Sequence, residues 1–276
     1  MDFRHPANPN DFEAYTTDRM REEFLVQQLF VPGSIKLTYS FIDRMIIGGV
    51  CPESPLELEG GKALGTDFFL SRRELGVINV GPTGAVSVGG DTYALEKTDG
   101  LYIGQGAKTV VFASDDPSEP ARFYLLSGPA HQSYPTQKVK MVEAESTRIG
   151  SPEQCNVRVL NKYIHPDGVP SANLVMGLTV VEPGNVWNSM PPCHLHARRM
   201  EVYFYFDVKP GAVVFHLMGE PERTRHIVVR NEEAIISPSW SLHAGAATSD
   251  YAFIWGMVGD NQTFGDMDIV DIDRLK

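Results

Sequence analysis

The sequence predicts an all-β protein with few helices, built as two β-barrels from an internal repeat, and three observations carry that prediction. First, short runs rich in β-branched and aromatic residues recur between Gly, Pro, Asn and Asp turn signals; KLTYSFIDRMIIGGV, ELGVINV, ARFYLL, EVYFYF and YAFIWGMVG are among them. Many short strands at such spacing read as a sandwich or barrel. Second, helical periodicity is confined mainly to DFEAYTTDRMREEFLVQQLF near the start. Third, the chain repeats itself.

The repeat is visible when SRRELGVINVGPTGAVSV (71–88) is set beneath ARRMEVYFYFDVKPGAVVF (197–215): two arginines, a glutamate, an apolar strand, a Pro-containing turn and Gly-Ala-Val. The order continues, since DGLYIGQGAKTVVFAS parallels EAIISPSWSLHAGAAT and ARFYLLSG parallels YAFIWGMVG. A polar, turn-rich connection separates the copies, so the expected domains are residues 1–145 and 146–276.

A chain of 276 residues can bury a sizeable core without staples. Its 24 basic against 35 acidic residues leave a net charge of −11, which argues against nucleic acid and against an anionic membrane surface. No signal-like amino terminus and no long apolar window appear, so the expectation is a soluble, cytoplasmic protein. The three cysteines, Cys51, Cys155 and Cys193, are far apart and odd in number, which fits a reducing compartment.

The chemistry concentrates in PPCHLHARRMEVYFYF, residues 191–206. His194 and His196 stand two apart, so on a strand both imidazoles project from one face, while Cys193 points the other way as a packed thiol. Glu201 lies at an odd offset from His196, so joining them requires a break, and ARRM supplies a turn. Beyond it Glu201, Tyr203 and Tyr205 share one strand face. His243, in SPSWSLHAG after a Pro-initiated turn, completes a set of three imidazoles and one carboxylate. That set suits one divalent transition ion such as zinc, iron, manganese, nickel or cobalt, with positions left open for water or substrate.

This His-x-His-x4-Glu spacing with a later histidine resembles the cupin family, which implies two cupin-type barrels, a bicupin. Two features depart from the cupin pattern. Gly184 precedes His194 by ten residues rather than lying close to it, and Trp240 stands where a glycine usually follows the proline. In the first copy Phe68, Leu70 and Lys108 fall where His194, His196 and His243 stand in the second, and only Glu74 remains, so the first barrel is expected to be metal-free and to serve packing.

Longer stretches, including YSFIDRMIIGG, FFLSRRELGVINVG, NKYIHPD, MPPCHLHARRMEVYFYF and FIWGMVGDNQTFGDMD, resemble the 5-keto-4-deoxyuronate isomerases over almost the whole chain. The resemblance implies Zn2+ held by His194, His196, Glu201 and His243, a homohexamer, and a small-molecule uronate substrate from pectin degradation. The implied reaction is an aldose–ketose exchange that converts 5-dehydro-4-deoxy-D-glucuronate to 3-deoxy-D-glycero-2,5-hexodiulosonate. A cation stabilising the enediolate fits that chemistry. A cupin dioxygenase using Fe, Ni or Cu and a sugar-acid sensor are the two alternatives.

A carboxylated substrate calls for a cation, and Arg198, Arg199, Arg225 and Lys162 are candidates. Tyr203 has inward parity, and Trp187 and Trp240 flank the ligand motifs, so these three are candidates for lining the pocket. His226 and Glu222 are considered as proton-transfer groups, but the sequence assigns no base. Alanine at His196 is expected to abolish activity and metal content, and alanine at Glu74 to leave both nearly intact.

Overall fold

A computed structural model of the protein describes residues 1–191 and 193–276. Short strands dominate, and α-helix is limited to Pro9–Phe12 and Thr17–Phe24 among the described residues. The amino-terminal stretch with helical periodicity is thus helical only in part. Asn8 and Thr16 cap the two short helices through their side chains. After Phe24 the chain straightens into Leu25–Val26, which pairs with Ile235 and Ala234.

Contacts divide the chain into two compact units. One comprises residues 1–3, 28–145 and 163–175; the other comprises 4–27, 146–162 and 176–276. The long sheet of the first runs Ser34–Ser40, Ile46–Cys51, Phe123–Pro129, Arg73–Asn79, Gly100–Ile103, Gln137–Val139, with Asp2–Arg4 at its other edge. The long sheet of the second runs Arg158–Ile164, Val175–Val181, Ala252–Gly259, Arg199–Phe206, Glu233–Ser237, Leu25–Val26, with Glu145–Ile149 at its edge. The first six strands counted from Asp2–Arg4 and from Glu145–Ile149 follow the same order, and only the far edge differs, Gln137–Val139 following its neighbours in the chain and Leu25–Val26 preceding them. Each unit adds a second sheet, of four strands in the first and six in the second, and hydrogen bonding leaves all of these sheets open.

Two arginines open the matching central strands, and the register from each shows what the repeat changed. Glu201 stands two residues after Arg199; two residues after Arg73 stands Leu75, inside an apolar core with Leu70, Val77, Val86 and Phe112. Glu74 is one residue off that register and therefore faces the opposite side of the strand. There it is fully buried, with its carboxylate accepting from the backbone N–H groups of Ala172, Asn173 and Leu174 at 2.6–2.7 Å and from the Tyr102 hydroxyl at 2.7 Å. Burial first, and then this carboxylate, push the Tyr102 phenol far above its ordinary range, so the hydroxyl stays a donor.

The expectation for alanine at Glu74 concerns activity and metal content; these contacts add a structural role for the carboxylate. Removing the carboxylate strands three backbone donors, two of them on buried residues. At about 1–3 kcal/mol for each such group the loss is on the order of several kcal/mol. Denaturant unfolding of Glu74→Ala should show that loss, with the metal content of the folded fraction unchanged.

Candidate metal centre and its cavity

Two sheets of the second unit meet at the four candidate ligands. His194 in Cys193–Leu195 and His243 in Leu242–Ala247 are direct cross-strand partners in the six-stranded sheet. Glu201 comes from Arg199–Phe206 in the seven-stranded sheet, opposite Ser237 and Met257. His196 sits just beyond its short strand, before the turn at Ala197–Arg198, and this break lets Glu201 rejoin the histidines. Cys193 faces the other way, packed among Ala244, Val270 and Met190, and burial raises its thiol pKa.

One donor atom from each of His194, His196, Glu201 and His243 lies within 4.8 Å of all the others. Glu201 Oε2 is 3.0 Å from His196 Nε2 and 2.9 Å from His243 Nε2, and the Nε2 atoms of His194 and His243 are 3.1 Å apart. The His196 tautomer follows from its other nitrogen. Nδ1 is 2.9 Å from the backbone carbonyl of Asp266, which can only accept, so Nδ1 bears a proton and Nε2 is the nitrogen left to meet an ion. Glu201 Oε2 is buried against Nε2 of both His196 and His243, and no hydrogen bond of good geometry reaches it.

The electrostatics agree with a cation-binding state. Burial, then the neighbouring His243, push His194 down to about 2, and burial lowers His243 as well. Burial works against ionising Glu201, but His243 and His196 more than offset it and hold its carboxyl well below the ordinary range. His194 and His243 held neutral beside an ionised Glu201 are in the deprotonated state that metal binding requires. Spacings near 3 Å are also about what bonds of roughly 2.0–2.2 Å to a shared ion produce at right angles. The donor set and its geometry fit one divalent ion.

The cluster opens into a cavity of about 200 Å3. Its walls are mainly apolar, from Leu160, Phe253, Trp255, Met257 and Phe264, with Thr179, Ser189 and Tyr203 as polar points. Trp255 reaches its place because residue 177 is glycine: a Cβ there would lie 2.2 Å from Trp255 Cζ2. The Trp255 indole N–H then donates to Thr179 Oγ1 at 3.1 Å.

Of the other residues singled out in the sequence, Tyr203 lines this cavity and the rest do not. Arg198 is exposed and clamps the carboxylates of Asp266 and Asp268. Arg199 is 1% exposed and donates to the carbonyls of Phe264 and Asp266, which places it behind His196. Lys162 stacks over Phe264, with Nζ 5.1 Å from the ring centroid. Trp187 is a sheet residue opposite Ala246, and Trp240 packs edge-on against Phe12 and Phe24. Arg225 lies over Phe12, exposed His226 packs against Phe215, and Glu222 pairs with Arg274.

The cavity's cation among the described residues is Arg158, which sequence reasoning missed. Its signal was the alternation in RVLNKYI: Arg158 and Leu160 share a strand face, and both line the cavity.

Residues 24–272 match the KduI/IolB family. The chain belongs to the KduI/IolB family. Full-length relatives in this family include the 4-deoxy-L-threo-5-hexosulose-uronate ketol-isomerases of Shouchella clausii, 53% identical over 277 residues, and of Caldicellulosiruptor bescii, 52% identical; the match spans 100% of each chain. Kinship of that extent to ketol-isomerases makes the chain an enzyme of the intramolecular oxidoreductase type. Among solved structures, an IolB-like protein from Salmonella typhimurium superposes with a TM-score of 0.63 at 13% identity, covering 79% of this chain and 84% of that one. An oxalate decarboxylase from Lactobacillus farciminis gives 0.55 at 9% identity over 83% and 80%. These two speak for the fold alone.

Behind the four-residue cluster, fully buried His216 holds Nδ1 2.7 Å from the Tyr205 hydroxyl, while its Nε2 has no partner. Burial, then His243, lower its pKa from the ordinary 6.5 to about 3. A depressed folded value means that the unfolded chain binds the proton more readily. The stabilisation is therefore full above pH 6.5 and is lost as pH falls toward 3, by at most about 1.4 kcal/mol per pH unit. Thermal unfolding followed over this window should show a flatter acid dependence in His216→Phe than in the parent.

Proposed function

We propose that this chain is a metal-dependent aldose–ketose isomerase converting 5-dehydro-4-deoxy-D-glucuronate to 3-deoxy-D-glycero-2,5-hexodiulosonate in the breakdown of pectin-derived uronates. The observation that carries the reading is the convergence of three imidazoles and a carboxylate in one cluster, of which His194, His196 and Glu201 line the cavity, in a chain related over its full length to uronate ketol-isomerases. His194, His196, Glu201 and His243 are the residues that hold the ion, and Zn2+ is the ion proposed. When bound, such an ion supplies stabilisation of the negative charge that develops on substrate oxygens as the carbonyl moves to the neighbouring carbon.

The chain's other residues shape the environment for that exchange. Leu160, Phe253, Trp255 and Phe264 keep the cavity apolar, which strengthens every charge interaction inside it. Burial first, then Glu201, hold the Tyr203 phenol well above its ordinary range, so it stays protonated and serves as a donor to a substrate oxygen. Glu201 is committed to the cluster, and Glu222 and His226 lie outside the cavity lining, so no base is assigned among them.

The repeated strand order supports a bicupin architecture of two related barrels, with the ion in the second. A homohexameric, cytoplasmic enzyme without nucleic-acid or membrane partners completes the proposal. No helix among the described residues is long and apolar enough to cross a membrane.

The test is turnover of the keto-deoxyuronate in sealed anaerobic buffer, with the carbonyl carbon followed by NMR. The expected outcome is conversion without oxygen or redox cofactor, suppressed by chelator and restored by Zn2+. A need for oxygen points to the dioxygenase reading, and binding without conversion points to a sensor. His196→Ala should lose both bound metal and turnover, the latter by about 10^3 or more, the scale of removing a principal charge-stabilising group.

A further inference from the structure

Arg158 opens the strand Arg158–Ile164 and contributes to the cavity wall alongside His194, His196 and Glu201. Its Nη1 donates to the backbone carbonyl of Asn156 at 2.6 Å. Asn156 is itself fixed, accepting from Ser151 N at 2.9 Å and donating to Met190 O at 3.0 Å, so the guanidinium is anchored at one corner. The remaining N–H groups have no carboxylate partner among the described residues. That separates Arg158 from Arg198 on Asp266 and Asp268, Arg148 on Glu182 and Lys162 over Phe264, while Arg199, also without a carboxylate partner among the described residues, is buried outside the cavity lining.

A partly buried guanidinium without a counter-charge is costly unless something anionic meets it. Burial leads in lowering its pKa, opposed by the nearby phenols of Tyr203 and Tyr251, and neither phenol is ionised at neutral pH because burial raises both. No protein carboxylate among the described residues pairs with this group, and Glu201 on the same cavity wall is engaged by His196 and His243. A carboxylate entering the cavity would find a planar fork with a fixed plane, the geometry that favours two parallel hydrogen bonds.

We propose that Arg158 binds the carboxylate of the substrate, so that the cavity selects acids over neutral sugars of the same size. This rests on the isomerase reading only for the identity of the substrate. The selection has two points: the His194, His196, Glu201 and His243 cluster addresses the reacting carbonyl end and Arg158 the acid end.

The test uses zinc-loaded protein and two probes that differ at one carbon, D-glucuronate and D-glucose, with binding measured by titration calorimetry and turnover of the keto-deoxyuronate in parallel. Arg158→Met is expected to weaken glucuronate binding and raise KM at least about tenfold, one lost charge-assisted pair. Binding of glucose, zinc content and kcat to within about threefold should be retained. Arg158→Lys keeps the charge and stem and should weaken glucuronate less than Arg158→Met but measurably, because an ammonium lacks the fork. If the methionine variant does not fold, the lysine variant alone decides. Glucuronate affinity unchanged from wild type, equal losses for both sugars, or no detectable glucuronate binding by the wild type each overturn the role. Wild-type binding of glucuronate that depends on Arg158, without turnover of the keto-deoxyuronate, sinks the isomerase reading and leaves Arg158 as an acid-binding residue.

Discussion

A buried carboxylate set among imidazoles is the constraint on which the second unit depends. Glu201 is 4% exposed, and its Oε2 lies 2.9–3.0 Å from imidazole nitrogens without a hydrogen bond of good geometry. A buried carboxylate oxygen left so is costly in a low-dielectric interior. A shared divalent cation would satisfy the carboxylate and the imidazole lone pairs together. The stability of this part of the fold and its chemistry therefore have one source, since the groups that would be most costly without an ion are those that would hold it.

The two units show two solutions to burying an acid beside an arginine that opens a strand. In the first, Glu74 sits one residue after Arg73 and faces three backbone N–H groups and a tyrosine hydroxyl, all of them donors. In the second, Glu201 sits two residues after Arg199 and faces the Nε2 atoms of His196 and His243. The inward register in the first unit is held by Leu75, within a closed apolar core. A one-residue difference in register thus separates a carboxylate that staples a turn from one suited to a metal centre.

Positioning extends outward from the cluster through the segment that follows Ala252–Gly259. The Asp266 carbonyl accepts from both His196 and Arg199, while the Asp266 side chain is clamped by Arg198 and Asn261. The residues on this strap, Phe264 and Met267, line the cavity. Arg198 and Arg199 therefore act on the site through the backbone they hold. Their apparent promise as substrate contacts reflects nearness in sequence to the histidines.

How much of this was legible beforehand depends on how local each determinant is. Strand content, the repeat and the shared face of His194 and His196 follow from period-two alternation and turn residues, which a linear sequence displays directly. The outward face of Cys193 and the inward face of Tyr203 followed from the same parity. Arg158 did not, because it reaches the cavity from a strand 36 residues before His194 through sheet order alone. Nor did the fates of Trp240 and Glu74. Those were decided by Phe12 and Phe24 packing from the amino-terminal helices and by the N–H groups of residues 172–174. Sequence determines which way a side chain points from its own strand; only tertiary structure decides what it meets there, because the partners come from strands whose adjacency is set by long-range pairing.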